Sequence, residues 1–273
     1  MSIQASSLSV TINGQKILDD LSFRCHTGEI TAIVGENGAG KSTLLNCLAG
    51  VSEYTGEITI NNRSLKSLSL AKLAQYRAVL PQNSSLNFPF SVHEVVRLAM
   101  SLGCLSQAEQ EQVIVDSLAL VDATQFIGRD YLHLSGGEKQ RVQLARVLAQ
   151  LRAHAHQEGR FLFLDEPTSA LDLKHQYSTL KMLRELCTSN SARGISPQNT
   201  RWQRLGALVI VHDLNLASFY CDKILLLNNG RLIAHEPPEK IFQNHIIKEC
   251  FGIDVIVDNH PDTSKPYLIP RLQ

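Results

Sequence analysis

The sequence predicts an α/β fold: a largely parallel sheet with flanking helices, led by antiparallel strands and interrupted by an inserted helical segment. Three observations carry that expectation. Residues 161–164 and 207–211 are short, wholly apolar runs, which is how strands buried on both faces of a parallel sheet read. The β-branched run 30–34 leads into a glycine loop and then a helix-spaced stretch at 42–48, a strand–loop–helix unit. From 92 to 120 the apolar spacing turns helical, with polar interruptions at 101–107.

The remaining elements follow in order. Residues 8–12 alternate loosely, Asn13-Gly14 is a hairpin turn, and 17–23 form the partner strand. Further strands are expected at 57–60 and 78–80. After the inserted helical segment, 138–151 read as a long amphipathic helix and 171–186 as another. The stretch 188–204 is polar, carries Arg193, Arg201 and Arg204, and is too long for an ordinary connection, so an exposed surface insertion is expected. The tail contributes a turn at Asn229-Gly230, a break at Pro237-Pro238 and a short helix at 239–244.

Composition removes several function classes. Lys and Arg number 26 and Asp and Glu 26, so no global charge draws the chain to nucleic acid or anionic lipid. Apolar residues are 44%, enough for a sizeable core, yet no apolar run nears the ~20 residues of a membrane helix. Residues 1–7 show no basic stretch followed by an apolar one, so no secretory signal is expected. The six cysteines are scattered without a Cys-x-x-Cys pair, which argues for buried small hydrophobes in a reducing compartment rather than a zinc site or a disulfide scaffold.

Chemistry concentrates first at Gly35-Glu36-Asn37-Gly38-Ala39-Gly40-Lys41-Ser42, a Gly-x-x-x-x-Gly-Lys-Ser match between a strand and a helix. Glycines let backbone N–H groups turn inward around phosphate oxygens, and the helix start adds a favourable dipole. Lys41 is placed against the β- and γ-phosphates, Ser42 offers a hydroxyl to Mg²⁺, and Thr43 adds another to the phosphates.

Ligands of such sheets bind beyond the carboxyl ends of the strands. Three strands here end in matching chemistry: Gly35 and the cradle, Asp165-Glu166, and His212-Asp213. Asp165 suits the carboxylate that holds Mg²⁺, Glu166 the base that orients or deprotonates the attacking water, and His212 a hydrogen bond to the γ-phosphate or that water.

At Leu134-Ser135-Gly136-Gly137-Glu138 the chain resembles the signature motif of ABC transporter ATP-binding subunits. Around it, in that family's order, stand Pro81-Gln82 (Q-loop), Asp165-Glu166 (Walker B and catalytic Glu), Ser169-Ala170-Leu171-Asp172 (D-loop) and His212 (switch histidine). The resemblance implies a P-loop NTPase (RecA-like) core with an antiparallel β subdomain and an inserted α-helical subdomain, the ABC ATPase fold. It implies one ATP-binding domain over 1–273, with the core at 1–82 and 152–235, the helical subdomain at 83–151 and a tail at 236–273.

It also implies ATP and Mg²⁺ as cofactors, Gln82 as a contact to Mg²⁺ or water, and a homodimer. In that dimer, Ser135, Gly136, Gly137, Glu138 and Asp172 of one copy would face the nucleotide of the other, an isologous contact. The family usually stacks adenine on an aromatic residue near the first strand; 8–17 hold none, so adenine is expected on Ile12 or Ile17.

Finer resemblance points to the haem-importer ATPases of the iron-chelate and cobalamin importer group. It is carried by 83–96, 144–151, 152–160, 171–176 and the tail ending Ile269-Pro270. A ferric-siderophore or cobalamin importer is the alternative, and a soluble ABC ATPase acting as scaffold or regulator is the alternative of another class. The implied partners are two copies of a multi-span permease and a periplasmic substrate-binding protein. The implied place is peripheral, on the cytoplasmic face of the inner membrane, with no nucleic acid and no direct contact with cargo. Accordingly His154, His156 and His175, in polar or helical context, read as solvated surface histidines rather than haem ligands.

Overall fold

The computed structural model describes residues 1–82, 86, 88–100, 105–155, 157, 159–188 and 205–271. Strands β1 (Ser2–Ile12) and β2 (Gln15–His26) precede β3 (Ile30–Val34) and helix α1 (Lys41–Leu48). Next come β4 (Thr55–Ile60), β5 (Arg63–Ser64), α2 (Leu70–Leu73) and β6 (Arg77–Leu80). Helices α3 (Val92–Arg97), α4 (Gln107–Leu120) and α5 (Gly136–Ala153) follow. The sheet then resumes with β7 (Arg160–Asp165), α6 (Leu173–Thr188), β8 (Leu205–Ile210), α7 (Leu214–Tyr220), β9 (Lys223–Asn228) and β10 (Arg231–Glu236). The chain closes with α8 (Pro238–Ile241), α9 (Asn244–Phe251), β11 (Val255–Asn259) and β12 (Pro266–Pro270).

The six-stranded sheet runs β10-β9-β3-β8-β7-β6, parallel except for the edge strand β10. Its strands are apolar throughout because both faces are covered, and the two-residue side-chain period sorts them into two cores. Leu162 and Leu164 of β7 face the core built with the helices, while Phe161 and Phe163 face the core shared with α1 and the antiparallel sheet β2-β1-β4-β5. Val209 and Leu208 of β8 divide the same way. Each fully buried Leu or Phe contributes about 2 kcal/mol, so these strand interiors anchor the site at their ends. At the Asn13-Gly14 turn both residues take positive φ, 51° and 79°, as a two-residue hairpin loop matched to strand twist requires.

Between β6 and β7, helices α3, α4 and α5 pack on one another. Each starts with the same device, a Ser whose hydroxyl accepts from the N–H three residues on, while a Glu there accepts from the Ser N–H: Ser91/Glu94, Ser106/Glu109 and Ser135/Glu138. The Ser-x-x-Glu spacing marks all three starts in the sequence.

The structure corrects some expectations. His154 is not a solvated surface histidine: it is 2% exposed at the end of α5, with Nδ1 3.0 Å from the Gln150 carbonyl. It closes a helix whose last turns are buried, so the polar flanking sequence misleads. His175 is half-buried between two carboxylates, with Nδ1 2.8 Å from Asp172 and Nε2 3.7 Å from Asp122. Helix α6 begins two residues later than the spacing suggests because Asp172 takes the cap position, its Oδ1 accepting from the His175 N–H at 2.9 Å. The tail carries an unforeseen hairpin, β11–β12, which docks on α7 through Asn215: its amide donates to the Leu268 carbonyl and accepts from the Leu268 N–H.

Residues 189–204, Cys104 and His156 lie outside the described residues. The other five cysteines are free and buried, and burial pushes the Cys25 thiol up to about 12. Among the described residues no helix is long and apolar enough to cross a membrane.

Candidate functional site: a strand-end cleft and a separate helix start

The parallel strands β3, β8 and β7 are neighbours, and their registers align Ile33 with Ile210 and Ile210 with Asp165. This places the segments after them side by side. A cleft of about 370 Å³ opens there, lined by Ile17, Asn37, Gly38, Gly40, Lys41, Ser42, Thr43, Gln82, Glu166 and His212. Four separate chain segments that the sequence singles out, together with Ile17 of β2, therefore meet in one place.

The cradle is shaped by backbone. Gly40 holds φ +96°, and a Cβ there would sit 2.5 Å from Leu18 Cδ2, so the position admits only glycine without a shift. It is the N-cap of α1 and offers no side-chain cap, which leaves the first N–H groups of the helix to a ligand. Lys41 is 7% exposed and its ammonium donates to the Gly35 and Glu36 carbonyls, both at 2.8 Å. Burial pulls its pKa down, opposed by the charges of Glu166 and Asp165.

Asp165 ends β7 and is 6% exposed. Burial pushes its carboxyl above the usual range, partly offset by a hydrogen bond from Ser42. Its Oδ1 is buried and finds no donor among the described residues. A hard carboxylate oxygen left over beside a serine hydroxyl fits Mg²⁺, which takes one or two protein oxygens and completes its shell with phosphate and water. Glu166 follows in the left-handed region at φ +50°. For a non-glycine residue this costs of order 1 kcal/mol and is a feature of functional strand ends. Its Oε1 is hydrogen-bonded to His212 Nε2.

Ser135, Gly136, Gly137 and Glu138 do not line this cleft. They form the start of α5, Ser135 and Gly136 exposed and Gly137 and Glu138 half-buried, where the hydrogen bonds of Ser135 hold the Glu138 carboxyl below its ordinary range. Gly137 faces the D-loop closely: a Cβ there would lie 3.0 Å from the Ala170 carbonyl, whereas one at Gly136 would meet nothing within 4 Å. Asp172 lies at the end of that loop, clamped by His175. Gln140, in the stretch Lys139-Gln140-Arg141-Val142 that continues the signature resemblance and carries no expected role, bonds both the Glu166 carbonyl and the Ala170 N–H. A polar residue on an amphipathic helix gives no signal of such a contact. Of the two expected adenine rests, Ile17 lines the cleft and Ile12 does not; among the described residues no aromatic side chain lines it.

Residues 18–169, more than half of the chain, match the ABC transporter family. The chain belongs to that family. Its members bind ATP and hydrolyse it in support of transport, and the ATPase subunits of its importers dimerise and work at a membrane with a separate permease. The chain is 40% identical to the hemin import ATP-binding protein of Pseudomonas fluorescens over 98% of this chain and 100% of that one. It is also 40% identical to the protein of the same description from Mesorhizobium japonicum, over 98% of each. The ATP-binding subunit of an ABC transporter of known structure superposes with a TM-score of 0.73 at 26% identity, covering 92% of this chain and 94% of that one. The ABC ATPase fold expected from the motifs is the one observed.

Proposed function

We propose that this ABC ATPase powers haem uptake through a separate permease, working as a homodimer on the cytoplasmic face of the inner membrane. The observation that carries the cargo is near-full-length identity of 40% to proteins described as hemin import ATP-binding proteins. The assembly proposed is two ATPase copies, two permease copies and a periplasmic substrate-binding protein.

The site roles follow from the cleft. The α1 amides, Lys41 and Thr43 bind the triphosphate, with the ammonium against its β- and γ-oxygens. Ser42, Asp165 and Gln82 would hold Mg²⁺, which when bound neutralises charge on those oxygens. Glu166 takes a proton from the attacking water as its oxygen bonds to the γ-phosphorus and the bond to ADP breaks, giving ADP and phosphate. His212, on the Glu166 carboxylate, holds that base in place. Ser135 and the N–H groups after it supply a second anion-binding helix start, aimed at the γ-phosphate held by the partner copy.

Reconstitution with the permease in vesicles tests the cargo: ATP-dependent uptake of haem is expected, and uptake of a ferric siderophore or cobalamin in its place would overturn the assignment. Glu166→Gln is expected to retain ATP and the closed dimer while hydrolysis stops; hydrolysis at the parental rate would remove Glu166 as the base.

A further inference from the structure

Glu166 is held by more than the cleft. Its carbonyl accepts from the Ser169 N–H at 3.3 Å, from Ser169 Oγ at 3.1 Å and from Gln140 Nε2 at 2.9 Å. The other end of the same amide, Gln140 Oε1, accepts from the Ala170 N–H at 3.0 Å. A primary amide donates at one end and accepts at the other, and only one orientation of Gln140 satisfies both contacts. One side chain therefore spans the segment from the left-handed Glu166 to the D-loop.

The far end of that loop has its own tether: Gln176 Nε2 donates to the Thr168 carbonyl at 3.3 Å and to the Leu171 carbonyl at 3.0 Å. Removing Gln140 thus takes from the Glu166 carbonyl its donor on α5, leaving only the local bonds from Ser169, while the other end stays held. Gln140 lies on α5, five residues after the Ser135 cap, so the helix that begins with the signature motif is bonded to the strand end that carries the base of its own chain.

We propose that Gln140 is a positioning residue for hydrolysis: it fixes the Glu166 backbone in the left-handed region so that the carboxylate stays in the cleft, and it ties that base to the signature helix. The inference rests on the reading of Glu166 as the base.

The test uses the purified full chain with Gln140→Leu, which loses both bonds, and Gln140→Glu, which keeps the length and loses the donor to the Glu166 carbonyl. For each, kcat and KM for ATP are measured, together with ATP-driven dimerisation in a Glu166→Gln background and thermal melting. We expect kcat to fall about tenfold or more with KM within about twofold, as for interactions that matter chiefly in the transition state. Dimerisation should be retained. A kcat within about twofold of the parent, a changed KM at constant kcat, or loss of the dimer in the Glu166→Gln background would each overturn the inference. If Gln140→Leu fails to fold, Gln140→Glu, close in shape, decides. Glu166→Gln alone separates the two claims: if it is silent while Gln140→Leu is unimpaired, only the positioning role falls; if it hydrolyses normally, the base itself is misassigned.

Discussion

The phosphate cradle and the signature end are both helix starts, yet they are built in opposite ways. At α1 the cap is Gly40, buried, with no side chain to satisfy the first N–H groups. At α5 the cap is Ser135, exposed, with its hydroxyl and Glu138 closing a reciprocal box. The first, proposed as the phosphate site, is complete inside one chain, with Lys41, Asp165 and Glu166 beside it. The second is satisfied by its own box and lies outside the cleft that holds Lys41 and Glu166, in keeping with the proposal that it serves another copy. The difference teaches where a change should hurt the isolated chain and where only the dimer.

The largest expected effect is at the cradle's charge: Lys41→Ala should lower ATP hydrolysis at least about a hundredfold, measured as phosphate release, because a preorganised cation against the transferring phosphoryl group is lost. Next is its backbone. Gly40→Ala, at φ +96° and against Leu18, should destabilise the chain by about 2 kcal/mol in urea unfolding. At the signature end the matching substitution should behave otherwise: Gly136→Ala points into open space and should change monomer stability by no more than about 0.5 kcal/mol, yet weaken the ATP-driven dimer in gel filtration. Equal destabilisation by the two glycine substitutions would erase the contrast.

The smallest effect concerns the box itself. The Glu138 pKa is lowered by bonds from Ser135, so the stability it adds is present above its unfolded value and lost as pH falls through the folded one. The melting difference between the parent and Glu138→Gln should therefore be present at neutral pH and vanish on acidification below the ordinary glutamate range. A difference that grows on acidification would show the box is not the source.

Much of this was legible because the candidate site forms at strand ends, where a short apolar run followed by Gly35, Asp165 or His212 announces both the element and the polar residues it presents. The antiparallel lead was legible from Asn13-Gly14. What could not be read was contact across the chain. His154 looked solvated because its neighbours in sequence are polar, whereas its burial comes from packing at the end of α5. The β11–β12 hairpin stays hidden until α7 offers Asn215 to receive it. Gln140 follows the signature in sequence, but its role was hidden because its partners, Glu166 and Ala170, lie 26 and 30 residues away. Of Ile12 and Ile17, the two expected adenine rests, only the folded cleft shows that Ile17 is the one in its lining.

Where the terminal phosphate lies between copies is best read from a structure of the Glu166→Gln protein with ATP bound. Two copies related by a twofold axis are expected, each γ-phosphate touched by Lys41 of one chain and by Ser135 of the other. A bound ATP whose γ-phosphate meets Lys41 but only water or its own chain on the far side would contradict this arrangement.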